Sequence, residues 1–537
     1  MIAHLQQYLN LTRELRDRQG EQAALVAIAD IYVQQENYAK AIEYYQQGLI
    51  VVRNSQQSLE EAIILGNLAK AYRILGKYNT AIELNQKALQ ILRTLKDRKT
   101  EAKILINLGN AYESLGDYDS AFKSFQASLQ IAREIKDSAV EAIALGNLGA
   151  AADQQKYDQA IAFHEQSLKI SESINDAAGK ASTLINLGSN YYSLGDRTKA
   201  LSYYQQALEF AKAAKNNKLE AEALGSLELA YEDLQQYPQA IQHQQQSLAI
   251  FQKIGDPAAQ GMVFNNLGHA FFSAGKLDEA ESQLRNSIKL LDNLRLGLSD
   301  TYKVSIFDTQ VFTYNLLQQI LITAKKPEAA LEVSEQGRAR AFAELLARKL
   351  TTDTVKANSS VKSVAYSSSV NAAPNIEKIR QIARQQNATL VEYTIIPDDD
   401  FKFRGKQRGR EQELFIWVVQ PNGKVDFRRR ELKFLWQTEY KSLENLVKNS
   451  RKFMGVNDSR GIISAEVTVD QQSQKKQLQQ LHEILVSPIA DLLPSDPKAN
   501  VVFIPQESLF LAPFPALQDQ NGKYLIEQHT ILTAHSI

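Results

Sequence analysis

Five asparagines, Asn67, Asn107, Asn147, Asn186 and Asn266, each stand one residue before a leucine that returns at a nearly constant interval. A carboxamide both donates and accepts, so a column of them can hold the backbone of an extended peptide without selecting its side chains. The same amides could instead bond from one repeating unit to the next, because buried amides are normally satisfied within the fold. Ser226 interrupts the column in the sixth unit. Other chemistry is sparse. The 537 residues include no cysteine, which removes disulfides, thiolate metal sites and a thiol nucleophile. Of the seven histidines, His529 and His535 lie near a C-terminal strand, and a base role would also need a nucleophile within reach. Asp398–Asp400 is a carboxylate run without companion ligands. No phosphate loop, HExxH, nucleophile elbow or metal-spaced Cys/His set occurs. No catalytic residue, metal or cofactor is expected.

Charge gives a second candidate. Lys402, Arg404, Lys406, Arg408 and Arg410 alternate along KFRGKQRGR, with Arg428, Arg429 and Arg430 across an expected hairpin. Such a ribbon could hold phosphates. Asp398–Asp400, Glu411 and Glu413 flank it, however, and 61 basic residues balance 61 acidic ones over the chain. A solvated loop is the expectation, with no nucleic-acid partner. The N-terminus has no apolar signal region and no run is long enough to span a bilayer. A soluble, cytoplasmic protein without a membrane partner follows as the expectation.

The asparagines owe their positions to a repeat. The core residue recurs at Ile28, Leu68, Leu108, Leu148, Leu187, Leu227 and Leu267, in steps of 40, 40, 40, 39, 40 and 40 residues. From Leu108, residues Gly109, Tyr112, Gly116, Tyr118, Ala121, Phe125 and Ser128 sit at offsets filled one copy earlier by Ala69, Tyr72, Gly76, Tyr78, Ala81, Asn85 and Ala88. This resembles the tetratricopeptide repeat (TPR) pattern offset for offset. The period exceeds the usual TPR length of about 34 residues and invites a HEAT or armadillo reading, but the core pattern is intact and the surplus falls after it, around Lys96–Thr100. Apolar spacing gives two amphipathic helices per copy, joined at Gly116-Asp117. Asp97, Asp137, Asp176, Asn216 and Asp256 precede the next first helix as caps. The fourth copy is one residue short, in the turn Gln154-Gln155-Lys156-Tyr157. Long TPRs of the kinesin-light-chain type resemble this array, and the resemblance places the asparagines on the concave face.

In order, residues 1–19 match the second helix of a repeat whose first helix is absent, residues 20–294 hold seven repeats, and 295–350 an eighth, degenerate one. In the eighth, Leu317, Leu321, Pro327, Ala330, Ser334 and Gly337 keep the offsets. Residues 351–375, rich in Ser, Ala and Asn, read as a flexible linker. From Ile376 strands and helices alternate, the mark of an α/β layer. A helix is expected at Ile376–Gln386 and strands at Ala388–Ile396 and Val501–Pro505. Glu413–Gln420 and Gly423–Arg429 make a hairpin, helices follow at Leu432–Asn449 and Gln471–Leu493, and a last strand at Tyr524–Leu532. The fold class is mainly α: a right-handed TPR solenoid followed by a partial α/β domain.

The run VVFIPQESLFLAPFPALQDQNGKYLIEQHTILTAHSI resembles the CHAT family, caspase-like domains that accompany TPRs in bacteria. EQGRARAFAELLARK and LFIWVVQPNGKVDFRRREL resemble that family's junction and first hairpin. The resemblance spans roughly residues 376–537. It implies a caspase-like fold whose His-Gly and Cys motifs lie downstream of Ile537, so no residue here inherits a catalytic role. The expected function is a scaffold that binds a protein or peptide partner, with the C-terminal half of a CHAT domain as a further candidate partner. The alternative is the specificity module and first portion of a cysteine peptidase completed elsewhere.

Overall fold

The computed structural model describes residues 1–35, 37–54, 58–152, 156–295, 300–338, 375–398, 410–453 and 471–534. The linker expected at 351–375 falls outside these except for Asn375, as do His535, Lys402–Arg408 and Gln154 and Gln155 of the shortened turn. Two compact units are present: Met1–Ala274 with Lys289–Phe307, and Gly275–Ile288 with Asp308–Ile537.

The first unit is a stack of antiparallel helices. A single helix, α1 (Ile2–Glu14), precedes the hairpins α2 (Arg18–Gln34) with α3 (Tyr38–Asn54), α4 (Ser58–Ile74) with α5 (Tyr78–Leu95), and α6 (Arg98–Leu115) with α7 (Tyr118–Ile135). Then come α8 (Ser138–Ala152) with α9 (Tyr157–Ser173), α10 (Ala177–Ser193) with α11 (Arg197–Ala213), and α12 (Asn217–Asp233) with α13 (Tyr237–Ile254). α14 (Pro257–Ser273) closes the series in this unit, and α15 (Leu277–Arg295) falls largely in the second. Six of the seven first helices start for a local reason. Asp17, Asp97, Asp137, Asp176, Asn216 and Asp256 accept a hydrogen bond from the N–H three residues on, at 2.9–3.2 Å, which satisfies a donor the helix cannot. The hairpin turn at Gly116 takes φ +86°, open to glycine at no steric cost.

Close approach within a hairpin depends on one position. A β-carbon on Gly109 would lie 2.4 Å from the Phe125 ring, one on Gly149 2.5 Å from His164, and one on Gly188 2.4 Å from Tyr204. A small residue on the first helix thus receives a large side chain from the second, and Phe125, His164 and Tyr204 are all buried. Ser128, Ser167 and Ser247 sit deeper and donate to the carbonyls of Ala102, Ala142 and Ala221 at 2.8–2.9 Å.

In the second unit, the end of α16 (Asp300–Thr323) turns into α17 (327–338), whose Ser334 shares a 2.8 Å hydrogen bond with Thr394 of a central strand. The last helical hairpin therefore belongs to the sheet-containing unit. The sheet has order β3-β2-β1-β4-β5, from β1 (Ala388–Pro397), β2 (Glu411–Val419), β3 (Val425–Glu431), β4 (Asn500–Ile504) and β5 (Thr530–Thr533). β1 runs antiparallel to β2 and parallel to β4. Its apolar residues meet α18 (Ile376–Gln386), α19 (Leu443–Phe453) and α20 (Gln471–Leu485) around a core that includes Val391, Ile416, Leu446, Leu481 and Phe503.

Three sequence expectations need correction here. The helix read from Leu432 is a 3-10 turn at Lys433–Gln437, and the α-helix begins only at Leu443. Glu411, remote in sequence, accepts the N–H groups of Leu443 and Glu444 and fixes that start. The helix read to Leu493 ends at Leu485, because Pro488 lacks an N–H and forces a separate 3-10 turn at Ser487–Leu492. The strand read from Tyr524 begins as a 3-10 turn at Leu525–Glu527, with Glu527 accepting from the Tyr524 N–H at 2.8 Å, and only Thr530–Thr533 pairs with β4.

Candidate functional site

The asparagines occupy equivalent places on successive first helices. Asn67 on α4, Asn107 on α6, Asn147 on α8 and Asn186 on α10 are half-buried, and Asn266 on α14 is buried. Among the described residues, no hydrogen bond engages the side-chain amides of Asn67, Asn107 or Asn147. Bonds between repeats do exist, and one recurring series of them runs from glutamine to tyrosine. Gln46 donates to Tyr72 at 3.0 Å, Gln86 to Tyr112 at 3.3 Å and Gln205 to Tyr231 at 3.3 Å. Each glutamine lies 26 residues before its tyrosine. That constant interval was readable from the sequence and was missed there.

One turn of helix before each asparagine the side chain faces solvent: Ile63, Lys103, Ile143, Ser182 and Met262 are all exposed. Ile63 is 41% and Ile143 52% exposed.

The sixth repeat breaks the pattern twice. Glu228 takes the place of the glycine and Gln244 that of the large partner, at 1% and 0% exposure. Neither oxygen of Glu228 and neither polar atom of the Gln244 amide has a hydrogen-bond partner. Burial, with repulsion from Glu232, pushes the Glu228 carboxyl well above the ordinary carboxylate range. Burial also works against the charge on Glu232, but the hydrogen bonds from His269 (2.7 Å) and Ser273 (2.6 Å) outweigh it, and that carboxyl ends below its usual range.

This arrangement has a pH signature. Unfolded, Glu228 titrates at about 4.3; folded, it keeps its proton to higher pH. The stabilisation is complete below the unfolded value and is lost as pH rises from there through the folded value. Glu228→Gln cannot ionise. Between about pH 5 and pH 8 the wild-type chain should therefore lose more stability than the variant, by on the order of 1 kcal/mol or more, read from urea midpoints at the two pH values. Equal losses would remove Glu228 as the source.

The remaining candidates resolve locally. Arg428, Arg429 and Arg430 face Asp491, Glu413 and Glu483 at 3.0, 3.8 and 3.4 Å, and Arg410 lies over the Trp436 ring. His529 is buried, and burial lowers its proton affinity. His482 stands 3.3 Å from Ser487 beside an open hollow of about 720 Å³ lined by Tyr440, Lys476 and Glu483. Among the described residues no group of His, Asp and Glu could hold a metal ion, and no helix is long and apolar enough to cross a membrane.

Comparison with known proteins assigns the repeats. The tetratricopeptide repeat description fits residues 2–94, 100–173, 149–213 and 219–293, together more than half of the chain. The chain belongs to the tetratricopeptide repeat family. The CHAT domain description fits residues 475–537, so the architecture is that of a TPR-CHAT protein. Tetratricopeptide repeat protein 28 of Mus musculus and that of Homo sapiens are each 37% identical over 94 residues, 17% of this chain and 4% of theirs; the chain thus matches only a small part of those relatives' length. Among solved structures, BtubC from P. vanneervenii is 22% identical with a TM-score of 0.37, covering 41% of this chain and 92% of that one. The apo quorum sensor NprR from B. thuringiensis is 19% identical with a TM-score of 0.44, covering 54% and 82%.

Proposed function

We propose that this TPR-CHAT chain is an interaction scaffold whose first-helix face binds an extended segment of a partner polypeptide. One observation carries the reading: Asn67, Asn107 and Asn147 hold half-exposed amides, in line on consecutive repeats, that make no hydrogen bonds among the described residues. Each can both donate to and accept from a peptide backbone. The glutamine–tyrosine bonds already join the repeats, so the asparagines are spare for a ligand. The CHAT portion performs no thiol chemistry by itself in this reading, because the sequence contains no cysteine.

The test is the double variant Asn107→Ala/Asn147→Ala. Against a panel of fluorescent extended peptides, those that bind the wild-type chain should bind the variant about tenfold more weakly, since a lost hydrogen bond costs about 0.5–1.5 kcal/mol. The thermal midpoint should stay within about 2 °C. A large fall in midpoint with unchanged peptide affinity would return the asparagines to a purely structural role.

A further inference from the structure

We propose that the α4–α6–α8 stretch of this face selects an extended peptide in which an acidic side chain lies between two aliphatic ones. The inference rests on the peptide-binding reading above and adds the side-chain chemistry that the asparagines lack. Ile63 and Ile143 occupy the same place two repeats apart, both exposed, and Lys103 occupies that place on the helix between them. Three residues beyond Ile143, a β-carbon on Gly146 would find only Ser167 Oγ, at 3.7 Å, so the surface beside that isoleucine is uncrowded.

Charge settles the middle of the ligand. Lys70 and Lys103 are exposed, and among the described residues neither takes part in an ion pair. The equivalent positions of α10, α12 and α14 hold no lysine or arginine and one acid, Glu222. The cationic seat is thus confined to the second and third repeats, where the unbonded amides also lie. Positive charge there favours an anionic side chain and disfavours a cationic one.

Spacing follows from packing. The first helices of neighbouring repeats touch, α4 with α6 and α6 with α8, and packed helices lie about 10 Å apart. Two steps are about 20 Å, or about six residues of extended chain at about 3.3 Å each. The ligand pattern is an aliphatic residue, an acid about three residues on, and a second aliphatic residue about three further.

The experiment uses the full chain and three fluorescent peptides of about twelve residues. The first carries two leucines about six residues apart with a glutamate midway; the second has lysine for the glutamate; the third has serines for the leucines. Fluorescence anisotropy at low salt should show the first binding about tenfold more tightly than the second, an advantage that shrinks as salt screens the charges. Lys103→Glu should reverse that order, and Ile63→Ser/Ile143→Ser should remove the advantage of the first over the third. Equal affinity for the glutamate and lysine peptides, or an order unchanged by Lys103→Glu, overturns the selectivity. If those equal affinities still fall with Asn107→Ala/Asn147→Ala, the groove itself survives. If none of the three peptides binds, both readings are withdrawn.

Discussion

Arg338→Met is expected to destabilise the sheet-containing unit by about 3–5 kcal/mol, the cost of stripping the partner from a buried charge. Arg338 reaches from α17 into the sheet, where its guanidinium donates to the carbonyls of Tyr393 in the middle of β1 and of Ile504 and Pro505 at the end of β4. Its Nε lies 3.2 Å from Glu392 and 3.6 Å from Glu335, both carboxylates buried. Burial raises the Glu392 carboxyl above its ordinary value even beside this cation, so its charge is already costly. Without Arg338 two carboxylates and three carbonyls lose their compensation together. The deficit should be smallest at acid pH, where Glu392, its carboxyl raised by burial, is protonated, and should grow as pH rises and that carboxyl ionises. Thermal unfolding followed by the fluorescence of Trp417 and Trp436 checks it. The triple variant Arg338→Met/Glu335→Gln/Glu392→Gln should recover most of the loss, since a buried charge set replaced as a whole is tolerated better than one broken in half. A single variant as stable as the wild type would show that the cluster contributes nothing net.

Phe125→Ala should cost about 3–5 kcal/mol in the third repeat, because the ring is fully buried and packs on Gly109 and on a cluster with Leu145 and Leu148. The informative measurement is the pair of substitutions. Gly109→Ala alone places a methyl group 2.4 Å from the ring and should cost about 1–3 kcal/mol by overpacking. In the Phe125→Ala background the same methyl group enters vacated space, and the helix preference for alanine over glycine, about 1 kcal/mol, should make it stabilising. The coupling is thus expected to exceed 1 kcal/mol in magnitude, as for side chains in contact. Strict additivity, read from helical circular dichroism in urea, would mean that the two residues do not share that space.

Periodicity made the helical array legible because most units repeat one set of steric demands: a small residue where helices touch, a capping Asp or Asn before the first helix, an αL residue or glycine at a helix end. The departures were legible as residues but not as consequences. Glu228 and Gln244 stand in the sequence plainly enough, yet only the packing shows that one fills a glycine's place and the other an aromatic one's. The asparagine column was visible, whereas the absence of bonds to Asn67, Asn107 and Asn147 depends on the glutamine–tyrosine pairs taking over the contact between repeats. The C-terminal strands were found from their β-branched runs. One helix was read as starting too early because the signal that starts it is not adjacent, Glu411 capping α19 from more than thirty residues away; the other was read past a local stop, Pro488, that the apolar spacing overrode.

The parallel pairing of β1 with β4 carries a kinetic cost. Ala388 must wait for Asn500, whereas every helical hairpin closes within one repeat length and needs only its neighbours. Contacts between residues so distant along the chain form late, since the entropy of closing the loop comes before any gain. At ribosomal speeds of about 5–20 residues per second, the nascent β1–β2–β3 hairpins spend on the order of 5–20 seconds with one flank of β1 open to other chains.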